Sequence, residues 1–306
     1  MITVLAGGVG AARYLSGLVQ VVPPEEIVAI VNTGDDTTMH GLRICPDLDT
    51  VTYTLAGAVN PDTGWGLVGE TWQAMESLRA YDESRAWFNL GDRDLGTHLF
   101  RTGRMAEGAS LTEATQQIAA RWGLRLRLLP MTDDEVATRF TVAGEGEIGF
   151  QDYFVGRHHE VSVSSVRFAG IEAAVPGVDV LDALRSADRI VVAPSNPIVS
   201  IGPVLAVPGI RDALVKRRDD VVAISPIIAG AALKGPADRL LVELGHEASV
   251  VGVARLYADV AATLVVDVAD ASLAGDVEAA GMRCVVAPTI MHGPAEAAAL
   301  ARVSLA

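Results

Sequence analysis

The chain opens with ITVLAGGVGAARYLSGLVQVVPPEEIVAIVNTGDD, residues 2–36, where two apolar runs flank a glycine-rich turn and a helical pattern. Residues 2–6 and 27–31 are short and apolar, as buried parallel strands are. Residues 11–22 have helical spacing and end before two prolines. A polar loop, residues 32–36, follows the second run. This order predicts a right-handed βαβ unit with the glycine turn after its first strand.

Strand-like and helix-like segments alternate again near the carboxyl end of the chain. The predicted strands there are residues 189–193, 221–224, 263–268 and 283–287, and the predicted helices are residues 204–216 and 271–280. Residues 45–123 look mainly helical, whereas residues 124–168 contain short β-prone pieces around a Gly/Glu turn. The pattern predicts an α/β fold, a Rossmann-like parallel sheet with helices on both faces. Residues 1–123 and 169–306 would form this core, and residues 124–168 a small inserted α+β subdomain.

The composition restricts the partners and the location that we expect. Lys and Arg total 24 and Asp and Glu total 38, so the net charge is -14. A field of that sign repels nucleic acid and anionic membrane surfaces, so neither is an expected partner. There is no signal-like start and no run of about 18 apolar residues, which favours a cytoplasmic location.

The glycine turn, residues 7–10, is a candidate phosphate site. Glycines let backbone N–H groups approach an anion at the start of the following helix, so Gly8 and Gly10 are candidate ligand contacts. The match to the dinucleotide motif GxGxxG is imperfect, because Arg13 stands where the third glycine belongs. A tight turn without a ligand is the alternative interpretation.

Acidic residues follow the second strand and open the next predicted helix. Asp35 and Asp36 end the first loop, and Asp47 and Asp49 lie about a dozen residues later in CPDLDT. Carboxylates gathered at a sheet edge suit Mg²⁺, which takes oxygen ligands and shares them with a diphosphate. A helix cap and a solvated turn would explain the same residues.

Two further kinds of polar loop are candidates for ligand binding. Asn89, Asp92, Arg93 and Asp94 crowd one loop that could hydrogen-bond a polar heterocycle or a polyol, although a surface salt-bridge turn explains them almost as well. Loops also follow the strands that end at residues 193 and 224, and the first of them carries Ser195, Asn196 and Ser200. Four histidines, His40, His98, His246 and His292, stand alone in the sequence, and the pair His158-His159 lacks the i, i+4 spacing of a helical zinc pair, so no zinc site is predicted.

Five ordered motifs resemble those of the 2-phospho-L-lactate transferase family, which includes CofD and the actinobacterial form FbiA. They are LAGGVGAARYL (5–15), VNTGDDTTMHGLRICPDLDTVTYTLAG (31–57), WFNLGDRDLGTHL (87–99), APSNPIVSIGPVL (193–205) and SPIIAGAALKGPADRL (225–240). The resemblance implies a Mg²⁺-dependent step of coenzyme F-420 synthesis. In that step, the ribityl hydroxyl of the deazaflavin Fo attacks a phosphorus that carries lactate or enolpyruvate, and GMP leaves.

The resemblance also implies roles for individual residues. Asp35 and Asp49 become the Mg²⁺ ligands and catalytic residues, and Asp36 and Asp47 are weaker candidates. The remaining contacts are divided between the two substrates, with Asn89, Asp92 and Arg93 beside the deazaflavin and Gly8, Gly10, Ser195, Asn196 and Ser200 beside the guanosine diphosphate donor. Family members often carry another glycine where this chain has Ala11. No dedicated general base stands out besides the carboxylates.

Two rival functions remain open at this stage. A nicotinamide-dependent dehydrogenase would explain the first βαβ unit, but it leaves the GDD and CPDLD motifs without a role. A non-catalytic regulator of the same fold that binds nucleotide sugars would not need the loop at residues 89–94. The sequence does not distinguish a lactyl from an enolpyruvyl donor, although the actinobacterial character of the motifs favours enolpyruvate. A homodimer is expected from the resemblance alone.

Overall fold

The structure of the protein, a computed structural model, describes residues 1–142 and 144–306. Its strands are Ile2–Ala6 (β1), Ile27–Val31 (β2), Thr37–Met39 (β3), Leu42–Ile44 (β4), Arg127–Pro130 (β5), Ala137–Val142 (β6), Gly146–Gly149 (β7), Val163–Ala169 (β8), Arg189–Val192 (β9), Val221–Ile224 (β10), Ile227–Ile228 (β11), Ala231–Ala232 (β12), Thr263–Val266 (β13) and Arg283–Val286 (β14).

The α-helices are Gly8–Leu18 (α1), Pro46–Leu55 (α2), Gln73–Tyr81 (α3), Asp92–Ala106 (α4), Leu111–Arg121 (α5), Val180–Ser186 (α6), Gly202–Ala206 (α7), Ile210–Lys216 (α8), Ala237–Glu243 (α9), Val250–Tyr257 (α10), Ala274–Ala279 (α11) and Pro294–Leu305 (α12). Short 3-10 helices cover Pro24–Glu26, Glu83–Arg85, Arg218–Asp220 and Val268–Leu273, and π-helical turns cover Asp152–Gly156 and Pro197–Ile201.

The main sheet is parallel throughout. In the described part of the chain it has seven strands in the order β14-β13-β10-β9-β1-β2-β5. β1 lies near the centre, paired with β2 on one side and with β9 on the other. The predicted α/β fold with a Rossmann-like parallel sheet is confirmed. Because all strands run the same way, the loops after them meet at one edge.

The hydrophobic core lies on both faces of this sheet. Successive residues of a strand alternate between the faces, so Leu5 belongs to the hydrophobic cluster that includes α6, α7, α8 and α10, and Val4 belongs to the cluster that includes α1, α2, α5 and α12. Both residues are fully buried, as expected for a sheet that helices cover on each side. This packing fixes the strand ends that carry the polar loops.

The inserted region is smaller than the sequence indicates. β6, β7 and β8 form a separate antiparallel sheet in the order β7-β6-β8. β5, by contrast, pairs with β2 at the edge of the main sheet, so residues 127–130 belong to the core rather than to the insertion predicted over residues 124–168. The helix predicted over residues 204–216 is also two helices, α7 and α8, because Pro208 and Gly209 interrupt it.

One close helix contact leads to a stability prediction. A Cβ added to Gly17 of α1 would lie 2.2 Å from the carbonyl carbon of Ala297 on α12. We expect Gly17→Ala to lower the free energy of unfolding by about 1–3 kcal/mol, because the two backbones must separate. Urea unfolding followed by circular dichroism measures this change.

The control is Gly103→Ala in α4. Outside its own helix backbone and chain neighbours, no heavy atom of the described residues lies within 4 Å of the added Cβ. This variant should be neutral or more stable by about 0.5–1 kcal/mol, since alanine favours the helix. Equal effects at the two positions would contradict the packing argument.

No single helix of residues 1–142 and 144–306 has the length and apolar character needed to cross a membrane. One pair bent by 91°, Pro197–Ala206 with Ile210–Lys216, meets those criteria by length and composition alone. Val204 and Leu214 of this pair are fully buried in the core of the protein.

Candidate active site

A cavity of about 690 Å³ lies at the edge of the sheet where the parallel strands end. Loops that follow β1, β2, β9, β10 and β14 contribute to its wall. The structure brings together at this cavity most residues that the sequence singled out: Gly8, Gly10, Asp35, Asp49, Asn89, Ser195, Asn196 and Ser200. Residues separated by almost two hundred positions therefore face a common space.

The glycine turn is held against the loop that follows β9. A Cβ on Gly10 would lie 2.1 Å from the carbonyl oxygen of Pro194, so a larger residue cannot occupy this position without backbone movement. Gly8 has φ of +68°, the left-handed region that favours glycine. The amino end of α1 thus lies at the cavity, where the first N–H groups of the helix and its dipole favour an anion; the N–H of Gly8 donates to the Asp47 carboxylate.

Three buried carboxylates lie close to one another near this turn, and two of them, Asp35 and Asp47, line the cavity. Asp35, Asp36 and Asp47 are 4%, 8% and 8% exposed. Burial raises the pKa of Asp35 well above its usual range, and repulsion from Asp47 and Asp36 raises it further. Burial also raises the pKa of Asp36 to about 7 and that of Asp47 to about 6. Like charges in one buried cluster are unfavourable, and a cation would offset their repulsion.

The hydrogen bonding of this cluster is compatible with a divalent metal ion. Asp35 Oδ1 is buried and has no hydrogen-bond partner among the described residues. Asp36 Oδ2 is paired with Arg43 Nη2 at 3.1 Å, and Asp47 Oδ2 accepts a hydrogen bond of 3.0 Å from Asn32 Nδ2. Carboxylate oxygens are the ligands that Mg²⁺ prefers, so Asp35 fits a metal ligand best of the three.

Asp49 is bound to a buried arginine. Arg101 of α4, 1% exposed, donates hydrogen bonds from Nη1 to Asp49 Oδ2 at 3.1 Å and from Nη2 to Asp49 Oδ1. The motif CPDLDT predicted a carboxylate at the sheet edge but gave no sign of a partner for it. One guanidinium contacts both oxygens and compensates the charge of Asp49.

His98 joins Asp49 to a second carboxylate, and sequence reasoning missed it. Its Nδ1 lies 3.7 Å from Asp49 Oδ2, and its Nε2 lies 3.2 Å from Asp94 Oδ2. Tyr53 donates a hydrogen bond of 2.5 Å to Asp94 Oδ1. Burial alone would raise the pKa of Asp94, but the hydrogen bond and charge of His98 keep it below its usual range. The spacing of Asp94, His98 and Arg101 at i, i+4 and i+7 was the available signal.

A second group of possible metal ligands consists of Asp49, Asp94 and His98. Each offers one ligand atom, and these atoms lie within 4.8 Å of one another. A cation held there would lie next to the Arg101 guanidinium, which already compensates Asp49. The electrostatics therefore favour a metal ion at the cluster of Asp35, Asp36 and Asp47 over one at this triad.

Asp92, Arg93 and Asp94, predicted as part of a loop, form the first turn of α4, and charged residues of this turn fix the loop that precedes it. Asp92 accepts hydrogen bonds from Thr71 Oγ1 at 2.5 Å and from two backbone N–H groups at the start of α3, and the Thr71 bond lowers its pKa. Arg93 Nη1 donates to the carbonyl of Val68 at 2.5 Å. Among the described cavity-lining residues, Asn89 is present while Asp92 and Arg93 are not.

The loop after β9 contributes an unpaired hydroxyl. Ser195 Oγ is buried, lines the cavity and has no hydrogen-bond partner within the described residues. Asn196 Oδ1 caps the following π-helical turn by accepting from the N–H of Ile198 at 2.9 Å. Ser200 packs so closely on the glycine turn that a Cβ on Gly7 would lie 2.7 Å from Ser200 Cβ. These contacts position the loop against α1.

Aromatic side chains surround the open end of the cavity. Trp65, Trp87 and Phe154 are 52%, 45% and 37% exposed, and all three line it. Phe154 stacks on Phe150 with ring centroids 5.5 Å apart and an interplanar angle of 9°. Exposed aromatic groups beside a polar interior suit a ligand with one flat apolar part and one hydrophilic part.

Comparison with known proteins gives relatives over nearly the whole chain. A family model described as 2-phospho-L-lactate transferase CofD matches residues 2–286. A phosphoenolpyruvate transferase of Streptomyces griseus is 46% identical over 308 residues, which cover 99% of this chain and 97% of the relative. One of Kitasatospora aureofaciens is 44% identical over 310 residues, with coverage of 100% and 97%.

Solved structures agree on the fold. Two crystal structures of a Bacillus halodurans protein of the UPF0052 family superpose with TM-scores of 0.65 and 0.62 at 16% and 17% identity. They cover 100% of this chain and 99% and 98% of their own chains, and they show likeness of fold alone. The family match and the curated relatives at 44–46% identity show that the chain belongs to the 2-phospho-L-lactate transferase CofD family.

Proposed function

We propose that this transferase moves a phosphoenolpyruvyl or 2-phospho-L-lactyl group from a guanosine diphosphate donor to the ribityl hydroxyl of the deazaflavin Fo, with release of GMP. The observation that carries the proposal is the buried cluster of Asp35, Asp36 and Asp47, of which Asp35 and Asp47 line the cavity with the amino end of α1. A metal site next to a backbone anion site is an arrangement suited to phosphoryl transfer. The names of the curated relatives favour the enolpyruvyl donor.

The reaction exchanges a phosphoanhydride bond for a phosphodiester bond. The deazaflavin hydroxyl oxygen forms a bond to the phosphorus that carries the organic acid, and the proton of this hydroxyl passes to water. The bond between that phosphorus and the oxygen bridging to the second phosphorus breaks, so the electron pair leaves with GMP. The protein contributes positioning and electrostatic stabilisation.

Of the two Mg²⁺ ligands expected from the sequence, Asp35 and Asp49, we propose that Asp35 binds the ion together with its neighbours Asp36 and Asp47, because Arg101 already compensates the charge of Asp49. Bound Mg²⁺ would compensate the charge of the diphosphate and of the departing GMP. Gly8 and Gly10 would direct backbone N–H groups at a phosphate, and Ser195, Asn196 and Ser200 would border the nucleotide. We propose that Asp49 accepts a hydrogen bond from the attacking hydroxyl.

The flat deazaflavin ring would pack among the aromatic side chains at the open end, with Asn89 beside it. We propose that Asp92 and Arg93 act on this substrate by holding the loop that carries Asn89.

The cytoplasmic location and the homodimer remain predictions. Light scattering of the purified protein tests whether it is a homodimer.

The aromatic surroundings lead to a kinetic prediction. Trp87→Ala should raise the KM for the deazaflavin about tenfold with little change in kcat, because stacking helps to bind the ring without stabilising the reacting phosphate. Initial rates at varied deazaflavin concentration measure both constants. Tyr81→Ala is the control, since Tyr81 is 89% exposed and lies outside the described cavity wall. A fall in kcat alone would contradict the assignment.

The test of the proposed function is deazaflavin-dependent release of GMP. The purified protein is incubated with Mg²⁺ and each of the two donors, with and without the deazaflavin, and the products are separated by liquid chromatography and mass spectrometry. We expect GMP and the phosphorylated deazaflavin in equal amounts. Release of GMP without the deazaflavin would indicate a hydrolase, and donor binding without any release would favour the non-catalytic regulator.

A further inference from the structure

Two basic side chains line the cavity together with its carboxylates. Asp35, Asp47, Asp49 and Asp94 supply its carboxylates, while Arg13 and Lys234 are the Arg and Lys side chains among its described residues. The chain contains only two lysines, Lys216 and Lys234. In a protein with a net charge of -14, an exposed lysine at the edge of a substrate cavity is a distinctive feature.

Arg13 and Lys234 lie on the same side of the glycine turn. A Cβ on Gly64 would be 3.1 Å from Val9 Cγ1 and 3.5 Å from Lys234 Nζ, so the ammonium group lies close to Val9. Arg13 follows Val9 by four residues in α1 and therefore projects from the same face of that helix. Both basic groups line the cavity, and Val9 of the glycine turn lies near the ammonium group of Lys234.

Arg13 and Lys234 are not neutralised by any carboxylate of the described residues. Among the described residues, no carboxylate forms an ion pair with Arg13 or with Lys234. Lys234 Nζ has a long hydrogen bond of 3.4 Å to the carbonyl of Thr63. Both side chains can therefore bind an anionic group of a ligand.

We propose that Lys234, assisted by Arg13, binds the carboxylate of the organic acid that is transferred. This inference rests on the proposed function, because the donor there carries a carboxylate in addition to its diphosphate. The acidic cluster with its metal ion and the amino end of α1 serve the diphosphate. The carboxylate needs a separate positive partner, since the four aspartates of the wall repel it.

The proposal gives the site a means of selecting its donor. GDP has no organic acid, and GDP linked to a neutral sugar has no carboxylate at this position. A lysine can form a charge-assisted hydrogen bond with a carboxylate, and that bond is absent with these two compounds. Lys234 is therefore a specificity-determining residue in this proposal.

The experiment compares the binding of 2-lactyl diphosphoguanosine with that of GDP by isothermal titration calorimetry, in Mg²⁺ and without the deazaflavin. The wild type should bind the lactyl compound more tightly than GDP. Lys234→Met should weaken binding of the lactyl compound about tenfold and leave GDP binding unchanged, the effect of losing one charged hydrogen bond. Lys234→Arg should keep most of the preference, and Lys216→Met, an exposed lysine on α8, is the matched control.

Each outcome decides the inference. The inference is supported if Lys234→Met loses the preference for the lactyl compound over GDP and still binds GDP as the wild type does. A preference that persists in Lys234→Met, or a wild type that binds both compounds equally, overturns it. The transferase proposal is tested separately on the same wild-type preparation by deazaflavin-dependent GMP release, so either idea can fail alone.

Discussion

Replacing Asp35 with asparagine is expected to abolish GMP release while leaving the metal-free protein at least as stable as the wild type. Asp35 is buried with one oxygen lacking a hydrogen-bond partner among the described residues, and burial together with its neighbours Asp47 and Asp36 raises its pKa. An amide removes the unfavourable charge but is a poorer Mg²⁺ ligand. We expect kcat to fall about 10³-fold, the size expected when several kcal/mol of charge stabilisation are lost.

Two measurements separate these effects. Binding of Mn²⁺, followed by electron paramagnetic resonance, should weaken in Asp35→Asn, and thermal unfolding in EDTA should occur at the wild-type temperature or above it. Asp212→Asn, an exposed residue of α8, is the control and should change neither quantity. Wild-type turnover in Asp35→Asn would remove Asp35 from the metal site.

The second prediction concerns the pair formed by Asp49 and Arg101. Asp49→Asn leaves the Arg101 guanidinium buried without its counter-charge. Arg101→Met likewise leaves the Asp49 carboxylate buried without its counter-charge. Each single change should lower the free energy of unfolding by about 3–5 kcal/mol. The double variant should recover most of this loss, because both charges are removed together, and it should still lack turnover.

The control pair is Arg211 and Asp259, joined by hydrogen bonds of 2.9 and 3.0 Å, with side chains 44% and 48% exposed. Its coupling energy in the same double-mutant cycle should stay below about 1 kcal/mol, since solvent screens exposed charges. Additive losses at Asp49 and Arg101 would show that their contact does not stabilise the fold. Turnover in the double variant would remove Asp49 from the chemistry.

Some elements of the fold and of the site can be predicted from local sequence patterns, and others depend on contacts between distant residues. Glycine turns, apolar runs and acidic loops are local patterns, so β1, α1, β2 and the gathering of Asp35 with Asp49 at one cavity could be predicted. The location of β5 could not, because residues 124–129 read equally well as part of an insertion or as an edge strand. Its assignment depends on pairing with β2, almost a hundred residues earlier.

The environment of Asp49 could not be predicted either, because it also depends on a residue that is distant in the sequence. Arg101 lies 52 positions away on another helix, and nothing in CPDLDT indicates that an arginine is buried against it. Asp92 and Arg93 stood in a motif that suggested ligand contact, yet their side chains bond to Thr71 and Val68. A motif identifies a loop, and only the tertiary contacts distinguish the residues that face a ligand from those that hold the loop.

The position of β1 has a consequence for synthesis on the ribosome. One side of β1 can pair with β2 as soon as residue 31 has emerged, but its other partner begins at Arg189. Until then, the nascent chain exposes an apolar strand edge, which is a site of aggregation. The glycine turn also cannot reach its final packing before Pro194 is synthesised, because Gly10 lies against the carbonyl oxygen of that residue. The nascent protein therefore cannot complete its cavity until well over half of the chain has been translated, and chaperone protection is needed most during that interval.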